Sequence, residues 1–327
     1  MAFVGGPDVA LKQKAADIVL TTLVVAFSPV LKFAARHRPA LPMLQRTCDR
    51  LGFQIRATHY YEPTYREADL PPDTRRPRSL PGIDMNESGQ LAMLGRLDYG
   101  EELLAIPMEK RSNTEFAYHN DMCEEGVAEL LYSMVRHWRP QRIVEIGSGN
   151  STLVTRLAVA ASNAEAPYAP KHVCIEPYEM PWLESTGVTV VRERVEHVGL
   201  DLFRELQAGD LLFIDSSHVI RPWGDVLREI LEILPSLAPG VFISIDDIFT
   251  PMDYPENWLR SERRLWNEQY MLEAFLSFNR DFEIVCAPMW LKQHHPDELH
   301  RVCPVLARSP HRSPGVLWLR RVRPEAL

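Results

Sequence analysis

The feature that most constrains the fold is a regular alternation of short apolar segments with amphipathic ones, which begins near residue 123. In the first amphipathic segment Val127, Leu131 and Met134 recur at helical spacing, as expected of a helix with one buried face. Strands that alternate with helices are typical of a parallel sheet covered by helices on both faces. The sequence therefore predicts a doubly wound α/β fold for this part of the chain.

Seven strands and four helices are predicted along this region. The strands are expected at 142–146, 172–175, 188–191, 210–214, 241–245, 282–288 and 315–323, and the helices at 123–137, 151–161, around 227–234 and at 266–278. The last two strands follow one another without an obvious helix between them. This arrangement predicts an antiparallel hairpin at one edge, and hence a mixed sheet.

The chain before this region divides into two predicted parts. Residues 1–40 are expected to form an apolar N-terminal helix, and residues 41–112 an accessory or lid region. The middle of that region, 62–82, is rich in proline and charged residues, which is typical of an extended loop. Residues 113–327 then form the predicted catalytic domain.

The segment 18–33 is almost wholly apolar and has basic residues on both sides. The run is shorter than the roughly 20 residues that a spanning helix needs, and Pro29 interrupts it. Two interpretations stay open. One is a helix packed on the protein or on a second subunit, which would make the chain a homo-oligomer. The other is a peripheral anchor at a membrane surface.

Charge and cysteine content narrow the function classes. The net charge of −8 leaves no electrostatic footprint for nucleic acid, so no such partner is expected. The five cysteines are scattered and form no Cys-x-x-Cys pair, which argues against a disulfide framework and a zinc site. This cysteine usage predicts a cytoplasmic protein.

Two glycines lie where the first predicted strand turns into its helix. Gly147 and Gly149 allow the backbone to approach a ligand closely, and Glu145 precedes them. A nicotinamide dinucleotide site would need a third small residue at the position of Thr152, and its fingerprint has no acidic residue at the position of Glu145. Both points favour another cofactor.

Three short motifs carry a resemblance to a known family. Residues 144–149 (Val-Glu-Ile-Gly-Ser-Gly) resemble motif I of the class I S-adenosylmethionine (SAM)-dependent methyltransferases, and residues 174–177 (Cys-Ile-Glu-Pro) resemble their next motif. Residues 237–240 (Leu-Ala-Pro-Gly) match the turn before their fifth strand. The resemblance runs from about residue 115 to the C-terminus. It implies a Rossmann-like mixed seven-stranded sheet, SAM as cofactor and methyl transfer as the reaction.

The resemblance also assigns the cofactor site. In that family the acidic residue at the tip of the second strand accepts hydrogen bonds from both ribose hydroxyls, and it maps to Glu176. One carboxylate suits two adjacent hydroxyl donors. The residues assigned to cofactor binding are Glu145, Gly147, Ser148, Gly149, Asn150, Glu176 and Asp215.

Acidic residues end two neighbouring strands of the predicted sheet. Asp215 follows the fourth strand, with His218 three residues on, and Asp246 and Asp247 end the fifth. Adjacent strand ends lie about 5 Å apart, and carboxylates that close repel one another unless they are protonated or neutralised. The pattern predicts a site for a divalent cation such as Mg²⁺, which prefers oxygen ligands. An imidazole nearby suits a general base at neutral pH.

This spacing is similar to that of metal-dependent O-methyltransferases acting on macrolide sugars and of cephalosporin-hydroxylase-like relatives. The resemblance implies Asp215, Asp246 and Asp247 as metal ligands. It implies His218 as the base, with Asp215 beside it in the catalytic pair. The expected acceptor is a hydroxyl oxygen of a small molecule or a glycan.

Two alternatives stay open at this point. The first is a metal-free SAM-dependent N-methyltransferase, whose acidic residues only bind an amine. The second is a SAM-fold scaffold that binds partners and catalyses nothing. In each case Tyr254 and Trp223 are predicted to shape the pocket for the second ligand.

Overall fold

The computed structural model describes residues 7–322. The chain separates into two compact units, Met1–Pro72 and Asp73–Leu327. The domain boundaries expected after residues 40 and 112 remain predictions. All five cysteines lie within the described residues, where each is free and buried.

The first unit is built around a long helix, α1 (Pro7–Arg36), followed by α2 (Pro42–Leu51). Pro29 lies inside α1 and does not end it. The expectation that this proline interrupts the apolar segment was therefore wrong, because a proline removes only one backbone donor and the residues on both sides continue the helix. Among the described residues, Leu11–Arg36 is the one helix long and apolar enough to cross a membrane, judged by length and composition alone.

Within residues 73–322 the second unit contains one seven-stranded sheet. Its strands are β1 (Arg142–Ile146), β2 (Lys171–Ile175), β3 (Thr189–Val191), β4 (Leu211–Ile214), β5 (Phe242–Asp246), β6 (Phe282–Cys286) and β7 (Val316–Arg321). They are arranged in the order β3-β2-β1-β4-β5-β7-β6. The first five strands run parallel, and β7 is antiparallel to both β5 and β6. The predicted mixed, doubly wound, seven-stranded sheet is confirmed.

Helices connect the strands and cover both faces of the sheet. They are α3 (Glu87–Leu94), α4 (Gly100–Ala105), α5 (Val127–Trp138), α6 (Asn150–Glu165), α7 (Asp201–Arg204), α8 (Asp225–Arg228), α9 (Leu234–Ser236), α10 (Glu256–Arg260), α11 (Glu268–Leu276), α12 (Pro288–His294), α13 (Pro296–Val302) and α14 (Pro304–Arg308). A π-helical turn, Glu229–Ile233, joins α8 to α9. A π turn inside a helix frequently marks a functional region.

The edge formed by the last two strands differs from the prediction. Three short helices, α12 to α14, lie between β6 and β7, so these strands are not joined directly. Each of the three helices begins at a proline, which is well suited to a first helical position. Helices this short show no clear period in the sequence, and the direct hairpin connection was wrong. Arg323, the predicted end of the last strand, lies outside the described residues.

The core has two halves, one on each face of the sheet. Along β4, Leu211 and Phe213 belong to one buried cluster, and Leu212 and Ile214 belong to the other. Since both faces are covered, the central strands are apolar at every position, as parallel strands usually are. The register pairs Ile146 with Ile214, and Ile214 with Ile245, so β1, β4 and β5 end at the same edge.

Candidate functional site

A cavity of about 670 Å³ opens at the carboxyl ends of β1, β2, β4 and β5. In open α/β sheets this edge is where ligands bind. The predicted site residues that line it are Gly147, Ser148, Glu176, Asp215, His218, Asp246 and Asp247. The fold thus brings the motif after β1 together with the acidic residues after β4 and β5.

Gly147 is the point at which the loops after β1 and β4 approach most closely. Its φ is +74°, and its N–H donates to the carbonyl of Ile175 at 3.0 Å. A Cβ at this position would lie 1.8 Å from the carbonyl oxygen of Asp215. No side chain fits there, so glycine is required by the backbone conformation and by the neighbouring loop.

Glu145 supports the glycine turn from inside the core. Its side chain is fully buried, and its Oε2 accepts a hydrogen bond of 2.5 Å from the hydroxyl of Thr152. The same hydroxyl oxygen accepts the N–H of Gly149 at 3.2 Å, while His172 Nε2 lies 3.1 Å from Glu145 Oε1. Three residues that were assigned to cofactor binding are not among the described residues that line the cavity: Glu145, Gly149 and Asn150. Glu145 acts on the turn rather than on a ligand in the cavity.

Glu176 links the loop after β2 to the glycine turn. One carboxylate oxygen accepts the N–H groups of Tyr178 at 2.8 Å and Glu179 at 2.9 Å, and the other accepts the N–H of Ser148 at 3.3 Å. A carboxylate offers about four acceptor positions, so these three bonds leave capacity for a ligand. The side chain therefore has a structural role as well as a place on the cavity wall.

Three of the predicted residues form a tight polar cluster. His218 Nε2 lies 3.2 Å from Asp215 Oδ1 and 3.4 Å from Asp247 Oδ2. One ligand atom from each of these residues falls within 4.8 Å of the others, an arrangement able to hold a metal ion. Asp246, the last residue of β5, also lines the cavity, but it does not belong to the group whose ligand atoms lie within 4.8 Å of one another.

The backbone is strained at two of the cluster residues. The φ of His218 is +58° and that of Asp247 is +55°, in the left-handed region that side chains other than glycine rarely adopt. Such conformations persist where the surrounding structure imposes them, and they are common at functional sites. Here they turn the two side chains towards Asp215 as the chain leaves β4 and β5.

Burial and neighbouring charges change the pKa values of the residues in and beside the cluster. Burial and the charge of Asp215 raise the pKa of Asp247 to about 7, although the attraction of His218 acts in the opposite direction. Burial and the charges of Asp215 and Asp247 raise the pKa of Asp246 well above its usual range. Burial alone would lower the pKa of His218, but hydrogen bonds to Asp215 and Glu268 raise it well above its usual value.

Glu268 is a site residue that the sequence did not reveal. It is buried at the start of α11, and its Oε2 lies 2.9 Å from His218 Nδ1, so it fixes the orientation of the imidazole. It is 50 residues from His218 along the chain. Since no local spacing connects the two, only the fold brings them together. The one available signal was an acidic residue at the start of a predicted helix.

Aromatic residues form the wall beyond the cluster. Trp258 and Trp266 line the cavity, and the guanidinium of Arg264 lies over their rings at 4.0 and 4.4 Å. Tyr254 and Trp223 were expected to shape this pocket, but neither is among the described residues that line the cavity. Tyr254 is buried behind the wall, and its hydroxyl accepts the N–H of Gln269 at 3.1 Å, whereas Trp223 is 93% exposed.

A comparison with protein families identifies the central part of this unit. Residues 144–248 match the family described as a methyltransferase domain. Within this segment the chain is similar to methyltransferase domains. The matched segment begins within β1 and ends just after Asp247, so it contains the glycine turn, Glu176 and the polar cluster. The resemblance stated from the motifs is confirmed.

Relatives of the methyltransferase domain are distant. A curated protein of Archaeoglobus fulgidus, named as uncharacterized, is 29% identical over 133 residues, which are 38% of this chain and 59% of that protein. The chain thus spans somewhat more than half the length of this curated relative.

Solved structures with a similar arrangement belong to several methyltransferases. CmcI with Mg and SAM has a TM-score of 0.35 at 16% identity, covering 62% of this chain and 73% of that one. CalS11, a TDP-rhamnose 3′-O-methyltransferase of calicheamicin biosynthesis, has a TM-score of 0.38 at 14% identity, covering 74% and 99%. An O-methyltransferase of Bacillus cereus in complex with SAH has a TM-score of 0.31 at 14% identity, covering 70% and 90%.

The close approach at Gly147 generates a first prediction. Gly147→Ala should lower the free energy of unfolding by more than the roughly 1–2 kcal/mol that a left-handed backbone costs a residue with a Cβ. The excess arises because the added methyl group would meet the carbonyl of Asp215. Gly209→Ala is the matched control, since Gly209 has a φ of +89° and no atom within 4 Å of an added Cβ. Urea denaturation of both variants measures the difference, and equal losses would contradict it.

Proposed function

We propose that the chain is a SAM-dependent O-methyltransferase that acts on a hydroxyl oxygen of a small molecule or sugar. A divalent cation and a histidine base assist the reaction in this proposal. The observation that carries it is the cluster of Asp215, His218 and Asp247 on the wall of the cavity that Gly147 and Glu176 also line. Methyl transfer from a sulfonium is a direct displacement, so the protein mainly has to align the donor with a deprotonated acceptor oxygen.

The cofactor half of the cavity suits SAM. Gly147 and Ser148 place the backbone of the turn after β1 on the wall of the cavity, where a ligand would contact it. Glu176 has acceptor capacity left after its three backbone bonds, and two ribose hydroxyls would use it. These two features support a nucleoside with a free ribose beside the glycine turn.

The acidic half has the donor set that a hard cation prefers. The carboxylates of Asp215 and Asp247 offer oxygen ligand atoms within 4.8 Å of one another. Burial, together with the neighbouring carboxylates, raises the pKa values of Asp246 and Asp247, so negative charge here is unfavourable unless a cation compensates it. These residues fit a divalent cation, with Asp215 and Asp247 as its main ligands. Such a cation, when bound, holds the acceptor hydroxyl and lowers its pKa.

His218 is the proposed base. Glu268 holds Nδ1, which leaves Nε2 directed towards Asp215 and Asp247 in the cavity. With both carboxylates ionised, the imidazole retains its proton because their charge stabilises the imidazolium. Once that charge is neutralised, the imidazole returns to its neutral form near neutral pH and is able to take the proton of the acceptor hydroxyl at Nε2.

A metal-free enzyme is a second candidate, and one observation favours it. His218 Nε2 lies within 3.4 Å of both Asp215 and Asp247, so a protonated His218 would itself neutralise part of the acidic charge. In that case the carboxylates would bind a substrate amine, and the reaction would be an N-methylation. Sensitivity to a chelator distinguishes the two candidates.

The role of Glu176 is testable by cofactor affinity. Glu176→Ala should weaken SAM binding by about 1.5–3 kcal/mol, as expected for lost hydrogen bonds to a charged group. Titration calorimetry on the purified protein measures this loss, and thermal unfolding of the same sample confirms that the variant is folded. Glu193→Ala, at an exposed position nearby, should bind SAM normally. Unchanged affinity in folded Glu176→Ala would refute the assignment.

Cation binding should depend on pH in a defined direction. Because the pKa of Asp247 is raised to about 7 and that of His218 is also raised, bound protons compete with the cation in acid. The affinity for Mg²⁺ should therefore increase as the pH rises from about 6 to about 8. Calorimetric titration with MgCl₂ at several pH values measures this trend.

Asp247→Asn should abolish Mg²⁺ binding. Asp201→Asn, which changes an aspartate that is 94% exposed, should not affect it. Binding that is independent of pH, or that survives in Asp247→Asn, would argue against a cation at this cluster.

The base is tested by turnover, once screening of hydroxylated compounds has found an acceptor. His218→Ala should lower kcat by about 10²–10⁴-fold, the usual loss for a general base, while SAM affinity stays the same. His197→Ala, at an exposed histidine of the same unit, is the control. Chelation should remove activity from the unsubstituted enzyme and added Mg²⁺ should restore it. Full activity in chelator would favour the metal-free candidate instead.

A further inference from the structure

Exposed apolar side chains lie on most sides of α1. Consecutive residues of a helix point about 100° apart, and Ile18, Val19 and Leu20 are each 58–61% exposed. Val25, Phe27 and Phe33 on the following turns are exposed to a similar degree. A helix that lies flat on a membrane keeps a charged face for water, and α1 has no charged residue between residues 18 and 31, where Thr21, Thr22 and Ser28 are its polar side chains. A helix that is apolar all round belongs in a protein core or in a bilayer.

From this exposed apolar surface we infer that α1 spans a lipid bilayer, with acyl chains covering its apolar side chains. The segment 18–35 rises about 27 Å at 1.5 Å per residue, close to the roughly 30 Å of a hydrocarbon core. Lys32 is its one charged residue and lies a single turn from its end. The long stem of a lysine at that position reaches the headgroup region.

The two threonines of the span have hydrogen-bond partners on the preceding turn of the helix. The hydroxyl of Thr22 donates to the carbonyl of Ile18 at 2.8 Å, and that of Thr21 lies 3.5 Å from a carboxylate oxygen of Asp17. The helix runs through the whole span, so its backbone N–H groups are paired internally, as is required where no water is available. Pro29 has no N–H, so the carbonyl of Val25, within the span, lacks its usual helical donor.

The two ends of the span differ in charge, and this difference gives the helix a direction. The N-terminal side has Lys12 and Lys14, whereas the C-terminal side has Lys32, Arg36 and Arg38, followed by Arg46 and Arg50 in α2. Basic residues are concentrated on the cytoplasmic side of membrane proteins, where anionic lipids attract them. The C-terminal end of α1 is therefore the cytoplasmic end.

Exposed tyrosines mark the same end of the helix. An ion pair of 3.8 Å between Arg38 and Glu62 brings the segment around residue 60 to the end of α1. Tyr60 and Tyr61 in this segment are 89% and 85% exposed. Tyrosine is enriched at membrane–water interfaces, because its ring is apolar and its hydroxyl is hydrated. Both residues lie within the first unit and fit the headgroup level beside the basic residues.

Carbonate extraction and flotation of the full chain test the span. The unsubstituted protein should stay in carbonate-washed membranes and should float with vesicles of phosphatidylcholine and phosphatidylglycerol after reconstitution. Leu20→Lys combined with Val24→Lys should lower the ratio of membrane-bound to soluble protein by at least about 100-fold, since each lysine is placed near the middle of the bilayer. Met43→Lys combined with Leu51→Lys, at exposed apolar positions of α2, adds the same charge outside the span and should leave the ratio unchanged.

A second measurement uses the unsubstituted chain and does not depend on the variants' folding. Protease treatment of the reconstituted vesicles should leave a protected fragment that contains residues 18–35, identified by mass spectrometry. Release by carbonate or by salt alone would show surface attachment and overturn the span. Removal of α1 from the mature protein would overturn it in favour of a cleaved signal. A water-soluble oligomer that does not float would show that a second copy of the chain covers the helix, which also overturns it.

Discussion

The contact between the loops after β1 and β4 is the constraint on which the site depends. Gly147 allows the first loop to lie directly against the carbonyl of Asp215, and no other residue fits in that space. The two loops belong to different halves of the proposed chemistry, since one faces the cofactor and the other begins the acidic cluster. Their close approach fixes the distance between donor and acceptor through the backbone itself. The buried pair of Glu145 and Thr152 then holds the turn from below.

Charge crowding is the second constraint, and it gives the cluster its chemical character. A carboxylate surrounded by other carboxylates is a poor acid and a good ligand, because anything that brings positive charge relieves the repulsion. In the proposed function, a proton on His218 and a divalent cation would both relieve the repulsion between Asp215 and Asp247. Cation binding would then be linked to proton release from the imidazole.

The sequence predicted the sheet and the polar residues at the strand ends of the cavity wall, because these depend on local patterns. Apolar strands with turns at their ends are visible in one dimension, and so are Gly147, Glu176 and the acidic residues that end β4 and β5. The direction and the contacts of a side chain depend instead on the tertiary structure, which the local pattern does not show. Glu145 reads like a ligand-facing residue, yet its direction is set by the packing of α6 on β1, which buries it.

Other features of the site were hidden for the same reason. Glu268 reaches His218 only because α11 begins behind the loop after β4. The division between Asp246 and Asp247 depends on where β5 ends, to within one residue. Short helices that begin at prolines, such as α12 to α14, have no period to detect. The sequence therefore indicated site residues that directly follow a strand, but not those that only the tertiary fold brings together.

The left-handed backbone at His218 and Asp247 restricts what these positions are able to become. A β-branched residue there would add steric conflict to the loss of a functional group, whereas Asn, Asp, His and Gly tolerate the conformation best. The residues that the backbone accepts most readily thus overlap with those that bind protons or metal ions. Substitutions at either position are therefore restricted to a few polar residue types and glycine, and conversion of either loop to an apolar wall is the least accessible change.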